Sequence, residues 1–260
     1  MLQRASFIQC MSLDHTPSQN LLLAALPAEE LRSIEADLEL VPMALGEMVF
    51  EPGKVSRHAY FPTTAVVSLH YVTSTGEMAE TAGVGREGIV GTALFLGGQF
   101  MPNSAVVQNG GYCYRMAREP LAQAFASAGA LRSVLLRYTQ ALIAQIGQTA
   151  ACYRFHTVEQ QLSRWLLSTA DRVPPGGMIM TQELVAGLLG VRRESISAAA
   201  SKLQDGGYIR YRRGNISILD PAGLESRACE CYAVVRAEIQ RLLQRAPAVA
   251  GNPPLQSHHV

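Results

Sequence analysis

The sequence has no long apolar segment. Although 48% of its 260 residues are hydrophobic, no stretch approaches the roughly 20 consecutive apolar residues that a membrane-spanning helix requires. The N-terminal stretch, MLQRASFIQCMSLDHTPSQN, also has no apolar run of the length found in secretory signal peptides. We therefore expect a cytoplasmic protein with no membrane partner.

Cysteine is scarce and odd in number. The only close pair, Cys229-x-Cys231, has the wrong spacing for a zinc knuckle, and no histidine follows it nearby. The remaining cysteines, Cys10, Cys113 and Cys152, are scattered. The sequence therefore predicts reduced thiols, no metal site and no cofactor.

Catalytic motifs are also lacking. The chain contains no phosphate-binding loop and no nucleophile elbow. Gly83-x-Gly85 lacks the strand-to-helix context of a dinucleotide site, and the acidic residues are scattered rather than gathered. We expect that the protein is not an enzyme.

Charged residues make up only 17% of the chain, and the net charge is +1. The two parts of the chain differ, however, because residues 1–150 hold 9 basic and 12 acidic side chains, whereas residues 151–260 hold 13 and 9. Within 192–213 there are six basic residues against two acidic ones. Such a concentration of positive charge is typical of a surface that contacts nucleic-acid phosphates.

The N-terminal half changes its hydrophobic period. Residues 1–20 read as a flexible arm, and a helical stretch follows to Leu40. From Val41 onward, short apolar segments recur between glycines and prolines, which is typical of antiparallel strands joined by turns. We predict an antiparallel barrel or sandwich with flanking helices over residues 21–129.

A long helix is predicted next, over residues 130–156. Its apolar stripe is longer than is needed to pack against a small β-domain, so the helix could pair with a second copy of itself as a coiled coil. Packing within the chain's own core is the alternative. The residues predicted to form the dimer interface are Leu131, Leu135, Tyr138, Leu142 and Gln145.

A helix-turn-helix pattern lies between Thr181 and Gly207. Thr181 is suited to cap a helix over 182–189, and Gly190 can adopt the left-handed conformation that a sharp turn requires. A second helix is predicted from Arg192 to Gln204, and its outer face carries hydrogen-bond donors. A second helix of this kind is typical of one that enters the major groove of DNA.

The next segment, YIRYRRGNISIL, alternates apolar and polar residues and predicts a two-stranded hairpin. A helix-turn-helix followed by a basic hairpin is a winged helix, which we place at residues 157–223. A single C-terminal helix is predicted over 224–245, and residues 246–260 have the composition of a disordered tail.

The DNA-contacting residues are predicted from this placement. Arg193 can bind guanine through two hydrogen bonds. Glu194 can accept a hydrogen bond from cytosine, or it can simply be an acidic residue in the first turn that interacts favourably with the helix dipole. Residues on the wing are more suited to phosphate. The full predicted set is Thr181, Gln182, Arg192, Arg193, Glu194, Ser195, Ser197, Lys202, Arg212 and Arg213.

Several segments resemble the Crp/Fnr family of bacterial transcription regulators. They are LGEMVFEPG, HAYFP, VGREGIVG, VEQQLSRWLL, MTQELVAGLLGVRRESI and GGYIRYRRGNISILDPAGL. The resemblance implies an α+β chain with an N-terminal antiparallel, jelly-roll-like β-roll, a long dimerisation helix and a C-terminal winged helix-turn-helix. It also implies a homodimer that binds double-stranded DNA and contacts RNA polymerase.

The chain departs from the family's cyclic-nucleotide pocket. In the matching stretch Gly91 is kept, but Thr92 stands where the family's ligand-binding Glu would be, and Asn103-Ser104 stands where its Arg-Ser pair would be. An iron–sulfur version of the family needs an N-terminal cysteine cluster, and only Cys10 is present. We therefore expect a sequence-specific regulator that does not respond to cyclic AMP, with an effector that the sequence does not identify. The alternative is a small-molecule sensor whose winged domain contacts protein rather than DNA.

Overall fold

The computed structural model describes residues 15–173, 178–212 and 214–243. The predicted arm is therefore described only from residue 15, and Arg213 and the predicted tail lie outside the described residues. Among those that are described, no helix is both long enough and apolar enough to span a bilayer.

Two short helices, α1 (Leu21–Ala24) and α2 (Ala28–Ile34), precede the strands. Asn20 caps α1, since its side-chain oxygen accepts from the backbone N–H groups of Leu22 and Leu23. Its side-chain amide donates to the carbonyls of Pro62 and Gly88. One buried asparagine thus fixes the entry of the chain onto the β-domain.

The N-terminal β-domain consists of two antiparallel sheets. One has the strand order β1-β7-β3, and the other has the order β2-β6-β4-β5. Their facing side chains form one apolar core that also includes residues of α1. The strands are β1 (Glu39–Met43), β2 (Met48–Phe50), β3 (His58–Pro62), β4 (Val66–Val72), β5 (Met78–Val84), β6 (Ser104–Asn109) and β7 (Gly111–Ala117).

Helix α3 (Arg118–Ala126) leads into the long helix α4 (Ala130–Phe155), which has 26 residues. The carboxylate of Glu30 accepts from the backbone N–H groups of Ala130 and Leu131, at 2.9 and 2.7 Å. A carboxylate at this end is favourable because it satisfies orphan donors at the positive end of the helix dipole. Helix α2 therefore holds the start of α4 directly.

The winged domain begins with α5 (Val158–Ala170), and Thr157 and Gln160 form a capping box at its N-terminus. Helices α6 (Gln182–Leu189) and α7 (Arg193–Asp205) follow, and α7 begins one residue later than predicted. The wing is a three-stranded sheet of order β8-β10-β9, because β8 (Met178–Ile179) joins the predicted hairpin of β9 (Ile209–Arg212) and β10 (Asn215–Ile218).

The prediction of one continuous C-terminal helix is wrong. The structure has α8 (Pro221–Arg227) and α9 (Cys231–Leu243), separated by a short break. Ala228 adopts an extended conformation, with ψ of 160°, and ends α8. Residues two apart on one helix point in different directions, so the break is what allows Cys229 and Cys231 to be buried at the same place.

The two domains contact each other through buried polar groups. Arg172, just after α5, donates from Nε to a Glu87 carboxylate oxygen at 2.6 Å. Trp165 on α5 donates to the Glu80 carboxylate on β5 at 2.9 Å. Burial raises the pKa of the Glu80 carboxyl, and the hydrogen bond from Trp165 only partly offsets this. The orientation of the winged domain on the β-domain is thus specified by polar contacts as well as apolar ones.

Candidate nucleic-acid interface

Helices α6 and α7 form the helix-turn-helix that the sequence predicts. The Thr181 hydroxyl accepts from the Leu184 N–H at 3.1 Å and caps α6. Gly190 ends α6 with φ of 65°, a left-handed conformation that glycine adopts at little cost. The Ser197 hydroxyl donates to the Gln182 side-chain oxygen at 2.6 Å and ties the two helices together. The angle between the helices is therefore fixed locally.

Helix α7 has one buried face and one open face. Its buried residues, at helical spacing, pack into the core of the winged domain. The opposite face carries Arg193, Glu194, Ala198, Ser201 and Lys202, all of which are exposed. This second helix therefore presents a polar surface of a size that suits a major groove.

The two cations on the open face of α7 are only weakly engaged. Arg193 lies 3.8 Å from Glu183, and both side chains are more than half exposed. Lys202 lies 4.0 Å from Glu159. The exposed Arg193–Glu183 pair contributes little, and Lys202 is at the outer distance limit of an ion pair, so neither cation is firmly held.

Not every predicted contact residue is equally open. Arg192 is exposed at the N-cap of α7, whereas Ser195 is half-buried. Thr181, Gln182 and Ser197 use their polar atoms to build the motif itself. The polar side-chain atoms of these three residues therefore stabilise the helix-turn-helix itself.

The wing adds further cations. Arg210 and Arg212 alternate along β9 and are both exposed, and Asn215 faces Arg212 across the hairpin. Arg210, Asn215 and Ser201 are not among the contact residues predicted from the sequence. Strand alternation could have identified Arg210, and helical spacing from Ser197 could have identified Ser201.

The predicted effector residues lie at a cavity between the β-domain and α4. Thr92 and Asn103 line this cavity of about 400 Å³, whose described lining includes no charged side chain. Gly91 has φ of 106° and precedes a short 3-10 turn. Asn103 is buried, and its amide donates to the carbonyl of Ser104 at 3.2 Å. Gly91 and Ser104 are adjacent to the lining residues but do not belong to them.

The predicted dimer residues lie in the chain's own core, so that prediction is corrected. Leu131, Leu135, Tyr138, Leu142 and Gln145 are at most 8% exposed. The first four belong to the core of the β-domain, and Gln145 donates to the carbonyl of Gly83. A second copy could reach them only if α4 left its own domain. This stripe is therefore the intramolecular face, which was the alternative interpretation.

A different apolar stripe on α4 is open. Leu136 and Ile143 are 44% and 65% exposed, and Ile146 is 38% exposed. Together with Thr139 and Ala150 they follow steps of three and four residues along the helix. This spacing is the pattern of a coiled-coil seam.

Four potential metal ligands meet where α4 ends. Cys152, His156, Cys229 and Cys231 are brought together there, although the cysteines are scattered along the sequence and no metal site was predicted. A signal was present, since Cys152 and His156 are four residues apart and therefore share a helix face. The return of Cys229 and Cys231 to that face depends on the tertiary fold.

Two domain families match the chain. The cyclic nucleotide-binding domain matches residues 40–128. The Crp-like helix-turn-helix domain matches residues 160–227. No curated protein sequence matches the chain significantly.

Solved structures with the same fold include several bacterial regulators. FixK2 from Bradyrhizobium japonicum has 16% identity and a TM-score of 0.64, over 74% of this chain and 98% of its own. The c-di-GMP-responsive global regulator CLP of Xanthomonas campestris has 19% identity and a TM-score of 0.59, over 74% and 99%. A CRP/FNR-family transcriptional regulator from Thermus thermophilus has 22% identity and a TM-score of 0.56, over 73% and 98%. At such identities the likeness is one of fold.

Proposed function

Since the chain joins a cyclic nucleotide-binding domain to a Crp-like helix-turn-helix domain and so belongs to the Crp/Fnr family of transcription regulators, we propose that it is a homodimeric, sequence-specific DNA-binding regulator. In this proposal α7 enters the major groove and the wing contacts the phosphates. RNA polymerase is the expected protein partner, and the bacterial cytoplasm, where the DNA lies, is the place of action. No catalytic step is required.

The open face of α7 is the observation that carries this proposal. Arg192 and Arg193 are exposed at the N-terminal end of this helix, and residues at that end of a recognition helix contact base edges. The exposed arginines of β9 lie on the adjoining wing. The groups proposed to read bases and those proposed to bind phosphates therefore lie on two neighbouring elements, α7 and β9, which supports a winged helix that binds DNA.

We predict that Arg193→Ala weakens binding to the best site by about 1–3 kcal/mol and relaxes the preference at one base position, because bidentate base contacts give that discrimination. The site is first obtained by selection from random DNA with the purified protein. Fluorescence anisotropy on that site and on single-base variants then gives the free-energy differences.

Arg212→Ala is the matched control on the wing. It should weaken binding to all sequences alike and lower the slope of affinity against salt by about one, because a phosphate contact releases a counterion without reading sequence. If Arg193→Ala also lowers the affinity for specific and random DNA equally, Arg193 does not read a base.

A salt titration tests the proposal against the alternative that the winged domain contacts protein. Binding to DNA through several phosphates gives a steep fall of affinity with salt. A protein that shows no such slope, and no enrichment of any sequence from a random pool, would favour the protein-contact function.

We predict that the chain does not bind cyclic AMP or cyclic GMP in the low-micromolar range. A cyclic phosphate is fully charged, and burying it without a cation or several donors is costly. The cavity offers Thr92 and Asn103 and no charged side chain, whereas an arginine would supply two charge-assisted hydrogen bonds. Isothermal titration of the purified protein with each nucleotide measures this directly.

The reverse substitutions provide the control for that experiment. Asn103→Arg combined with Thr92→Glu restores a cation for the phosphate and a carboxylate for the ribose, so this variant should gain measurable affinity. Tight binding by the unaltered chain, with a matching gain in DNA affinity, would show that the cavity recognises the nucleotide by other groups.

A further inference from the structure

Four side chains of metal-binding type converge at the junction between α4 and the C-terminal helices. Cys152 lies in the last turn of α4, and His156 follows one turn later. Cys229 lies in the break between α8 and α9, and Cys231 is the first residue of α9. One ligand atom from each lies within 4.8 Å of all the others.

The separations fit a single tetrahedral ion. The Cys152 and Cys229 sulfurs are 3.5 Å apart. The Cys231 sulfur and the His156 Nδ1 are 3.4 Å apart. Bonds of about 2.3 Å to sulfur and about 2.0 Å to nitrogen place tetrahedral ligand atoms about 3.5–3.8 Å apart. Because no two ligand atoms are more than 4.8 Å apart, each separation would have to shorten by at most about 1 Å for all four atoms to bind one ion.

The groups around the cluster orient its ligands. The His156 Nε2 lies 3.2 Å from the Glu230 carboxylate, which leaves Nδ1 facing the sulfurs. Gln148 donates from its side-chain amide to the Cys231 sulfur at 3.1 Å. A carboxylate behind a ligating histidine and a donor to a thiolate are the usual outer partners of a bound metal.

From this arrangement we infer that Cys152, His156, Cys229 and Cys231 bind one structural Zn²⁺ ion. Three cysteines with one histidine are a closed tetrahedral set that zinc prefers. Simple packing of small apolar side chains does not account for the histidine and its carboxylate. A disulfide between Cys152 and Cys229 would leave Cys231 and His156 facing each other without a role. An iron–sulfur cluster with two irons would need its ligands in two separated pairs.

The ion would join two parts of the chain that are distant in sequence. Cys152 and His156 belong to the end of the helix that leads from the β-domain, whereas Cys229 and Cys231 follow the wing. Zinc would therefore fix α9 against the end of α4. Because the binding free energy of a structural metal is also folding free energy, its removal should loosen this junction while the two domain cores stay intact.

Metal analysis of the full-length protein tests the inference. The protein is purified under reducing conditions, loaded with Zn²⁺, washed with a weak chelator and analysed by mass spectrometry for zinc, iron and sulfide. We expect one zinc ion per chain in the unaltered protein, and none in the double variant that carries both Cys229→Ser and Cys231→Ser. Cys113→Ser is the matched control, since Cys113 is a buried free cysteine on β7 and away from the cluster; it should keep the ion.

Cobalt substitution covers the case in which the double variant fails to fold. Co²⁺-loaded protein should show thiolate-to-cobalt charge transfer and the intense visible bands of tetrahedral cobalt. His156→Ala should change those bands, and Glu230→Ala, an outer partner, should weaken zinc binding by about 10- to 100-fold. Zinc should also raise the thermal unfolding midpoint of the unaltered chain and of Cys113→Ser by several degrees.

Three results would overturn the inference. They are a chain that retains no zinc after loading, a stoichiometry that the cluster substitutions leave unchanged, and iron with sulfide in place of zinc. None of these measurements depends on DNA binding, so their outcome is separate from that of the proposed regulatory function.

Discussion

Arg172→Ala should lower the free energy of unfolding by about 3–5 kcal/mol, because it leaves a buried carboxylate without its cation. Arg172 and Glu87 are each only 7% exposed. Without Arg172, the Glu87 carboxylate keeps a backbone N–H from Gly85 at 3.2 Å but no positive charge. Urea titration followed by fluorescence of Trp165, the only tryptophan of the chain, gives the change.

The opposite deletion and a double substitution complete this test. Glu87→Ala leaves the guanidinium with the Ser168 carbonyl as a hydrogen-bond partner, so it should cost a similar amount. Glu87→Leu with Arg172→Met removes both charges and keeps most of the volume. It should therefore be clearly more stable than either single variant.

An exposed pair of the same chemistry is the control. Arg115 makes two hydrogen bonds to Glu39, each at 2.8 Å, on the surface of the β-domain. Solvent screens such a pair, so Arg115→Ala should change stability little. If Arg172→Ala behaves like Arg115→Ala, the contact between the domains is hydrated in solution and does not hold them together.

The long helix shows what the sequence can and cannot predict. Its ends, Ala130 and Phe155, agree with the predicted range 130–156 to within one residue, because its apolar residues keep a helical period from a defined start to a defined stop. Which face is buried could not be read from that period. Leu135 and Leu136 are neighbours, as are Leu142 and Ile143, so the helix is apolar on two faces. Only the position of the β-domain decides between them.

The site was predictable where local chemistry determines it. The cap at Thr181 and the glycine turn at Gly190 depend on near neighbours, and both are present as predicted. Strand β8, with only two residues, is too short to show a period. The contact between Cys152 and Cys229 spans 77 positions of the chain, and such contacts depend on tertiary packing. Strand β8 and this contact were therefore missed because neither has a local signal in the sequence.

Leu136→Arg with Ile143→Arg should convert a dimer into monomers. Both side chains are exposed in the single chain, so the substitutions should leave the fold intact while placing charge in an apolar seam. Sedimentation in the analytical ultracentrifuge measures the change in mass, and circular dichroism checks that the helix content is kept. An unchanged dimer would show that the interface lies elsewhere.

The control places the same charges on another apolar surface. Met48 and Val55 are 48% and 57% exposed and lie in and just after strand β2 of the β-domain, so Met48→Arg with Val55→Arg should stay dimeric. A dimer presents two recognition helices about 34 Å apart, one turn of DNA, and binds both half-sites together. Loss of this avidity should lower the affinity for a palindromic site by about 10²- to 10⁴-fold. Binding to a single half-site should be unaffected, because each monomer keeps its own α7. Equal losses on the two DNAs would instead mean that the substitutions had damaged the DNA-binding domain itself.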